Sequence, residues 1–302
     1  MTTAFVLGGG GVLGAAEVGM LRALFERDIA PDLVLGTSVG ALNGAMVARD
    51  PTIAVIDRMA RLWRGAAESG DVYGDRRLRT VRRAVSTGTH IYSPKPLTER
   101  LRDEFGDLTF EELPVRFQVC AASIERAAEH WFDSGPVVDA IVASAAVPGL
   151  LPPARVGDEH FLDGGIVNSI PVGRAVQLGA RRIFVLQVGR IDRPLKPPTK
   201  PWEVARVSFE IARRHRFARE MSELPEGVEA HVLPARGTSS RDDSILAHRD
   251  FAGVQDRIDA TYQASVEYLD ERLGCSGCCG ACSSPRSSSW SRRFSGSVSR
   301  RG

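Results

Sequence analysis

Short apolar runs alternate along the chain with segments in which apolar residues recur every three or four positions. The short runs are typical of buried strands, and the longer periodic segments are typical of amphipathic helices. Strands that alternate with helices predict an α/β fold, with a mostly parallel central sheet covered by helices on both faces. Strands are predicted at 4–7, 33–35, 116–122, 160–162, 182–188 and 230–233, and helices around 18–25, at 39–48, 53–64, 93–105, 202–221 and 251–269, and from Pro136 onward.

The end of the chain differs in composition from the rest. Residues 274–302 are rich in Ser, Gly and Arg and carry +5, whereas residues 1–273 carry −3. Because such a segment buries too little surface to offset chain entropy, we predict one folded domain over 1–273 and a disordered tail over 274–302. The tail cysteines lie close together with no second ligand arm, so a thiol-rich segment is favoured over a metal site; they are Cys275, Cys278, Cys279 and Cys282.

Overall charge and hydropathy exclude several classes of protein. The formal net charge is +2 over 302 residues, which argues against a dedicated nucleic-acid binder. No apolar stretch approaches the length of about 18 residues that a membrane-spanning helix requires. The start "MTTAFVLGGGG" lacks the basic residues of a secretory signal, and no disulfide framework is evident. A cytoplasmic protein is therefore expected.

A glycine-rich turn, "LGGGGVLGAAEVG", follows the first predicted strand and opens a helix. Its backbone N–H groups can approach a ligand closely. Gly9, Gly11 and Gly14 also match the dinucleotide pattern G-x-G-x-x-G. That pattern needs an acidic residue at the end of the next strand, whereas Asp32 precedes that strand here. A nucleotide-binding module therefore remains only as an alternative function.

A second motif, "GTSVG" at 36–40, has the form G-x-S-x-G between a predicted strand and a predicted helix. Small flanking residues permit a sharp turn that exposes a serine hydroxyl at the N-terminus of a helix. A triad hydrolase would also need a late histidine in a turn motif. His215, His231 and His248 lie in no such motif, so we expect the base to be a different residue.

A third motif, "FLDGGIVNSIPV", places Asp163 directly after a short predicted strand and before two glycines. Open α/β folds carry their sites at the carboxyl ends of strands. Taken alone, Asp-Gly is typical of a turn. Taken with the two other glycine-framed motifs, Asp163 is the candidate base for Ser38.

The three motifs, in this order, resemble those of the patatin-like phospholipases. The segments "ASAAVPGLLPP" (143–153) and "YSPKPLTERLRDEF" (92–105) are also similar to that family, and the resemblance covers roughly residues 4–270. It implies a three-layer patatin-like α/β fold. In that family's pattern Arg or Lys usually stands where this chain has Leu13, which removes a cation beside the glycine loop.

The resemblance also implies a mechanism without a metal or organic cofactor. Ser38 would be the nucleophile and Asp163 the general base, and the oxyanion hole would be formed by the N–H groups of Gly9, Gly10 and Gly11. The remaining motif glycines would shape the turns; they are Gly14, Gly36, Gly40, Gly164 and Gly165.

The expected function is therefore that of a lipid acyl hydrolase of the phospholipase A, lysophospholipase or esterase type. A catalytically silent scaffold of the same family is the second alternative. Peripheral contact with membrane lipid is considered for two basic stretches, 76–83 and the helix at 202–221. For that helix, a core-packed apolar face with a solvated charged face is the favoured interpretation. Acyl-chain length, head group and oligomeric state are left open.

Overall fold

The structure is a computed structural model that describes residues 1–69, 90–188, 191, 194–235 and 253–274. Its strands are β1 (Thr3–Leu7), β2 (Leu33–Thr37), β3 (Arg116–Ser123), β4 (Ala128–Phe132), β5 (Ala154–Val156), β6 (Glu159–Asp163), β7 (Arg182–Leu186) and β8 (Glu229–Val232). Its α-helices are α1 (Ala15–Phe25), α2 (Val39–Arg49), α3 (Ala54–Ser69), α4 (Lys95–Phe105), α5 (Val137–Ser144), α6 (Gly165–Asn168), α7 (Val172–Gln177), α8 (Pro201–Ser222) and α9 (Val254–Leu273). Short 3-10 helices span Gly11–Gly14 and Phe110–Glu112.

The strands form one sheet in which hydrogen-bonded neighbours follow the path β5-β6-β3-β2-β1-β7-β8, and β4 is also paired to β3. The pairs β3–β2, β2–β1, β1–β7 and β7–β8 are parallel. The pairs β3–β4, β3–β6 and β5–β6 are antiparallel. The prediction of a mostly parallel sheet is therefore confirmed for its centre.

Both faces of the sheet are covered by helices, as predicted. Alternate residues of β1 point to opposite sides, so Phe5 and Leu7 belong to one apolar cluster, and Ala4 and Val6 belong to another. The first cluster includes side chains from α1 to α5 and α9, and the second includes side chains from α7 and α8. The result is a three-layer α/β arrangement.

Two strands were missed by the periodicity, and each has a physical reason. The β4 sequence, AEHWF, contains charged and half-exposed residues, and among the described strands it pairs with β3 alone. Strand β5 has three residues, too few for a recognisable alternation. The described part of the terminal helix begins at Val254, after the predicted start at Phe251, which lies outside the described residues.

Several other expectations also lie outside the described residues: the tail beyond Gly274 with its cysteines, the basic stretch 76–83 and His248. The division into a folded domain over 1–273 and a disordered tail therefore stays a prediction. None of the described helices combines the length and apolar character that crossing a bilayer requires.

Candidate active site

Two strands meet end to end along one edge of β3. Thr37, the last residue of β2, pairs with Cys120, and Asp163, the last residue of β6, pairs with the next residue, Ala121. Strand β4 pairs with residues 119–123 of β3, so it takes the opposite edge. Because β2 is parallel to β3 and β6 is antiparallel, their carboxyl ends face each other. Asp163 thus arrives from the direction opposite to the parallel strands, which the sequence did not indicate.

Ser38 occupies the sharp turn between β2 and α2. Its backbone has φ 56° and ψ −122°, a left-handed conformation that non-glycine residues rarely adopt. The flanking glycines leave no room for side chains. A Cβ on Gly36 would lie 2.5 Å from the carbonyl oxygen of Gly40, and a Cβ on Gly40 would lie 2.3 Å from the carbonyl oxygen of Leu7. The G-x-S-x-G motif therefore forms the strand–turn–helix that its spacing predicts.

The Ser38 hydroxyl donates a hydrogen bond of 2.6 Å from Oγ to Asp163 Oδ2. The second carboxylate oxygen, Oδ1, accepts the backbone N–H of Gly165 at 2.7 Å. Asp163 is 4% exposed, and this burial raises its pKa from 3.8 to about 6, although the hydrogen bonds from Ser38 and Gly165 lower it. The carboxylate is thus oriented on both oxygens and binds a proton more readily than an exposed aspartate.

Gly164 keeps this carboxylate close to β3. A Cβ at Gly164 would lie 2.1 Å from the carbonyl oxygen of Cys120, which no side chain tolerates. At Gly165, a Cβ would lie 2.9 Å from Asp163 Oδ1 and 2.9 Å from Phe209 Cζ of α8. Both glycines of the third motif therefore lie where a side chain would crowd the Asp163 carboxylate or the groups that surround it.

The glycine loop after β1 lies against Ser38. A Cβ on Gly9 would be 3.4 Å from Ser38 Cβ, and a Cβ on Gly10 would overlap Val188 at 1.9 Å from Cγ2. The N–H of Gly9 donates to the carbonyl of Ser169 at 3.1 Å. Within the described residues, the N–H groups of Gly10 and Gly11 have no acceptor. Of the three glycines expected to form the oxyanion hole, Gly9 thus has its N–H bonded to Ser169, whereas Gly10 and Gly11 have N–H groups that are open among the described residues.

The end of the 3-10 helix, Gly14, is held close to α2. A Cβ on Gly14 would lie 2.4 Å from Val39 Cγ2. Asn43 donates through Nδ2 to the carbonyl of Gly14 at 3.0 Å and to Glu17 Oε2 at 2.7 Å. Its Oδ1 accepts the indole N–H of Trp63 at 3.2 Å. This buried cluster joins the glycine loop to the helix that begins after Ser38, and sequence periodicity gave no indication of it.

Burial raises the pKa of Glu17 well above its usual value, although Asn43 and the backbone of Gly8 act in the opposite direction. Glu17 is fully buried in α1. Burial therefore shifts Glu17 toward its neutral form.

Ser144 was not among the predicted site residues, although its segment was noted. Its Oγ accepts the N–H of Ser38 at 2.7 Å and donates to the carbonyl of Cys120 at 2.6 Å. A serine in the apolar helix "VVDAIVAS", fully buried, is the kind of residue whose hydroxyl needs a specific partner.

The histidines lie apart from this pair. Within the described residues, neither Ser38 nor Asp163 is hydrogen-bonded to an imidazole. His215 is exposed on α8, and His231 stacks on Phe184 with ring centroids 5.0 Å apart. Burial lowers the pKa of His231. The same ranges contain no cluster of His, Cys, Asp or Glu that could hold a metal ion.

The dinucleotide alternative gains no support from Asp32. Its Oδ2 accepts the N–H of Thr3 at 2.7 Å, at the start of β1. The glycine loop follows the other end of that strand, so Asp32 and the loop lie at opposite ends of the sheet. A ribose held near the loop would not reach Asp32.

Helix α8 lies beside the short helix that follows Asp163. Arg216 donates through Nη1 to the carbonyl of Val167 at 2.6 Å and through Nη2 to Glu129 Oε2 at 3.0 Å. Arg213 is also buried and donates through Nη2 to the carbonyl of Val188 at 3.2 Å. Two arginines of this helix therefore point inward, whereas the expectation had the charged residues on the solvated face.

Apolar side chains of α8 point outward instead. Val204 is 50% exposed, Ile211 56% and Phe209 38%, and Ile166 of the adjoining α6 is 39% exposed. Val204 and Ile211 are seven positions apart and therefore share one face of the helix, and we call these two residues the outer apolar patch. Phe209 lies on a different side of α8, where its Cζ would be 2.9 Å from a Cβ on Gly165.

A strained serine between a strand and a helix of an open sheet is typical of α/β hydrolases. A family model for patatin-like phospholipases matches residues 5–176. The chain therefore belongs to the patatin-like phospholipase family, as its motifs predict. All three motifs lie inside the matched range.

Curated relatives match more than half of the chain. The sequence is 34% identical over 195 residues to the lysophospholipase nte1 of Aspergillus terreus and 31% identical over 189 residues to the neuropathy target esterase sws of Drosophila melanogaster. Each match covers 62% of this chain but only 12% and 13% of the relative, respectively. The chain thus spans a small part of these relatives.

Among solved structures, VipD from Legionella pneumophila is similar with a TM-score of 0.45 at 14% identity, over 89% of this chain and 67% of that one.

Proposed function

We propose that the protein is a lipid acyl hydrolase that cleaves carboxylic esters through Ser38, with Asp163 as the general base. The observation that carries this proposal is the 2.6 Å hydrogen bond from Ser38 Oγ to Asp163 Oδ2 at a strained strand–helix turn. Membership of the patatin-like phospholipase family and relatives named as lysophospholipases and an esterase support the substrate class.

In the first step, Ser38 Oγ attacks the ester carbonyl carbon while its proton moves to Asp163 Oδ2. A carboxylate is ordinarily a weak base for a serine hydroxyl, but the raised pKa of Asp163, about 6, makes this carboxylate a stronger base. The bond from Gly165 to Oδ1 keeps Oδ2 directed at Ser38. Proton transfer then follows an existing hydrogen bond and needs no side-chain rotation.

The oxyanion of the tetrahedral intermediate would be bound by the amides of Gly10 and Gly11, which have no acceptor among the described residues. Gly9 is left out because its N–H is bonded to Ser169. The N-terminus of α2 adds a favourable dipole at the same side of Ser38. One such donor is worth about 3–4 kcal/mol of barrier.

The intermediate collapses when the alcohol leaves with the proton held by Asp163, and Ser38 remains acylated. Water then attacks the acyl carbon and gives a proton to Asp163, and the fatty acid leaves as Ser38 Oγ regains that proton. The same carboxylate acts as base, then acid, in each half-reaction. The residues named here provide every proton transfer.

The outer apolar patch is proposed as the surface that contacts lipid. Apolar side chains at the edge of a lipid aggregate lose contact with water, which favours binding. Phe209 of the same helix lies beside Gly165, so the helix that would contact lipid also borders the dyad.

Hydrolysis of a p-nitrophenyl acyl ester tests the proposed chemistry. Ser38→Ala and Asp163→Asn are each expected to lower kcat at least about a thousandfold while the circular dichroism spectrum is retained. A fluorophosphonate should label the wild-type serine and not Ser38→Ala. If either variant keeps wild-type activity, Ser38 and Asp163 are not the catalytic pair. A wild type that is neither active nor labelled would favour the alternative of a catalytically silent scaffold.

Co-sedimentation with liposomes tests the proposed lipid surface. Val204→Asp combined with Ile211→Asp should reduce pelleting with the vesicles while hydrolysis of the soluble ester is retained. Ile124→Asp is the matched control, because Ile124 is 45% exposed in the turn between β3 and β4. If both variants pellet with the vesicles as much as the wild type does, the outer apolar patch is not the surface that contacts lipid.

A further inference from the structure

The Ser144 hydroxyl is completely buried and makes two hydrogen bonds at the end of α5. It accepts the N–H of Ser38 at 2.7 Å and donates its own hydrogen to the carbonyl of Cys120 at 2.6 Å. A hydroxyl provides one donor and accepts through its lone pairs, so this single oxygen can satisfy both groups. It therefore joins the turn after β2 directly to β3.

The main chain that follows holds the second strand end. The carbonyl of Ser144 accepts the N–H of Gly164 at 3.2 Å, and the carbonyl of Ala146 accepts the N–H of Asp163 at 2.9 Å. The segment 144–146 thus bonds to Ser38 through a side chain and to Asp163 and Gly164 through its backbone. Both residues of the dyad are fixed relative to the same short segment.

The bond to the Ser38 amide matters because that backbone is strained. A non-glycine residue with φ 56° and ψ −122° keeps this conformation only when its surroundings fix it. On the far side, the Ser38 carbonyl accepts the N–H of Ala41 at 2.9 Å inside α2. On the near side, Ser144 provides the acceptor for the N–H. Without it, a buried amide would lack a partner, and the turn could relax.

We propose that Ser144 is a positioning residue, whose hydroxyl holds the strained Ser38 backbone so that Oγ stays directed at Asp163 Oδ2. This inference rests on the proposed function, because it assigns Ser144 a role in the same dyad. Ser144 does not contact the substrate. It acts by holding the residue that does.

Loss of the Ser144 hydroxyl should have two effects at the same time, whereas a general loss of packing would not produce both. First, kcat should fall about tenfold to a hundredfold, since small displacements of a reacting group have effects of this size. Second, the hydrogen bond from Ser38 lowers the pKa of Asp163, so a loosened Ser38 should raise it. The acid limb of the pH–rate profile should therefore move to higher pH.

The experiment compares wild type, Ser144→Ala and Ser265→Ala with a p-nitrophenyl acyl ester between pH 4 and 9. Ser265 is the matched control because it is also fully buried, lies in α9 and has no hydrogen-bond partner among the described residues. Thermal melting is recorded for each. If Ser144→Ala fails to fold, Ser144→Cys, which fills a similar space and bonds weakly, takes its place.

A lower kcat together with an acid limb at higher pH in the Ser144 variant, and neither change in Ser265→Ala, supports the proposal. A folded Ser144 variant with kcat within about threefold of wild type, or with a lower kcat and an unmoved acid limb, overturns it. These outcomes presuppose a wild type that hydrolyses the ester and is labelled by a fluorophosphonate. A wild type that does neither refutes the proposed function and, with it, the role of Ser144.

Discussion

Ser38 and Asp163 are separated by 125 positions in the sequence, and a hydrogen bond of 2.6 Å joins Oγ of one to Oδ2 of the other. Since the pKa of Asp163 is raised to about 6, the proposed base is protonated below that pH and ionised above it. We therefore expect kcat/KM for a p-nitrophenyl acyl ester to rise with pH along an acid limb centred near 6.

An imidazole base could give a limb in the same range, so temperature provides the control. Ionisation of a carboxylic acid has almost no enthalpy, whereas that of an imidazolium is strongly endothermic. The limb should therefore stay in place on warming, and a shift to lower pH would indicate histidine. Single replacement of His215, His231 or His248 by Ala should leave turnover within several-fold of wild type.

Replacement of Asp163 should stabilise the fold at alkaline pH. The folded-state pKa, about 6, lies above the ordinary value of 3.8, so stability is lost as pH rises between these values. At pH 8 the cost of the buried charge amounts to as much as about 3 kcal/mol. Asp163→Asn should thus gain stability relative to wild type at pH 8 and not at pH 4, as measured by urea unfolding. An equal effect at both values would contradict this.

The backbone of Ser38 predicts a difference between two inactive variants. Glycine adopts φ 56° without steric cost, whereas alanine keeps the Cβ that strains the turn. We expect Ser38→Gly to be about 1 kcal/mol more stable than Ser38→Ala, after the greater freedom of glycine in the unfolded chain is included. At Ser123, which lies in β3, we expect the reverse: Ser123→Gly should be less stable than Ser123→Ala. Identical melting temperatures for the two Ser38 variants would argue against a strained turn.

The buried cluster around Asn43 predicts unequal effects of two polar replacements. Asn43→Ala would leave Glu17, the Gly14 carbonyl and the Trp63 indole without their partner, which should cost about 3 kcal/mol of unfolding free energy. Gln keeps the shape of Glu17 and the oxygen that accepts from Asn43, and it brings no charge into the buried site, so Glu17→Gln should cost less than about 1 kcal/mol. A larger loss for Glu17→Gln than for Asn43→Ala, in the same unfolding experiment, would contradict this order.

Sequence periodicity predicts those parts of the fold whose information is local. Strand β1 is buried along its whole length, so its apolar run is continuous, and the helices beside it repeat every three or four residues. The turn at Ser38 is only partly local. Gly36 is required by Gly40 and Ala41, a few positions away, whereas Gly40 is required by Leu7 in the adjacent strand β1. The family resemblance adds the pairing of Ser38 with Asp163, which periodicity alone does not contain.

What the sequence did not reveal depends on contacts between distant segments. The direction of β6 is set by its pairing with β3, and an apolar run is the same in either direction. Ser144 and Glu17 are polar residues in apolar helices, and only the fold shows what they bond to. The inward arginines of α8 have the same origin, since their partners are carbonyl groups of Val167 and Val188.

The placement of the candidate catalytic groups before residue 166 has a consequence for how such proteins can diversify. Ser38, Asp163 and the glycine loop all come from the range that the family model matches, whereas α8, which borders the dyad, comes from beyond it. On the proposed mechanism, the residues for the reaction and the helix that borders the site are therefore encoded in different stretches of the gene. Changes in the later stretch can alter which esters reach the serine without rebuilding the reaction itself.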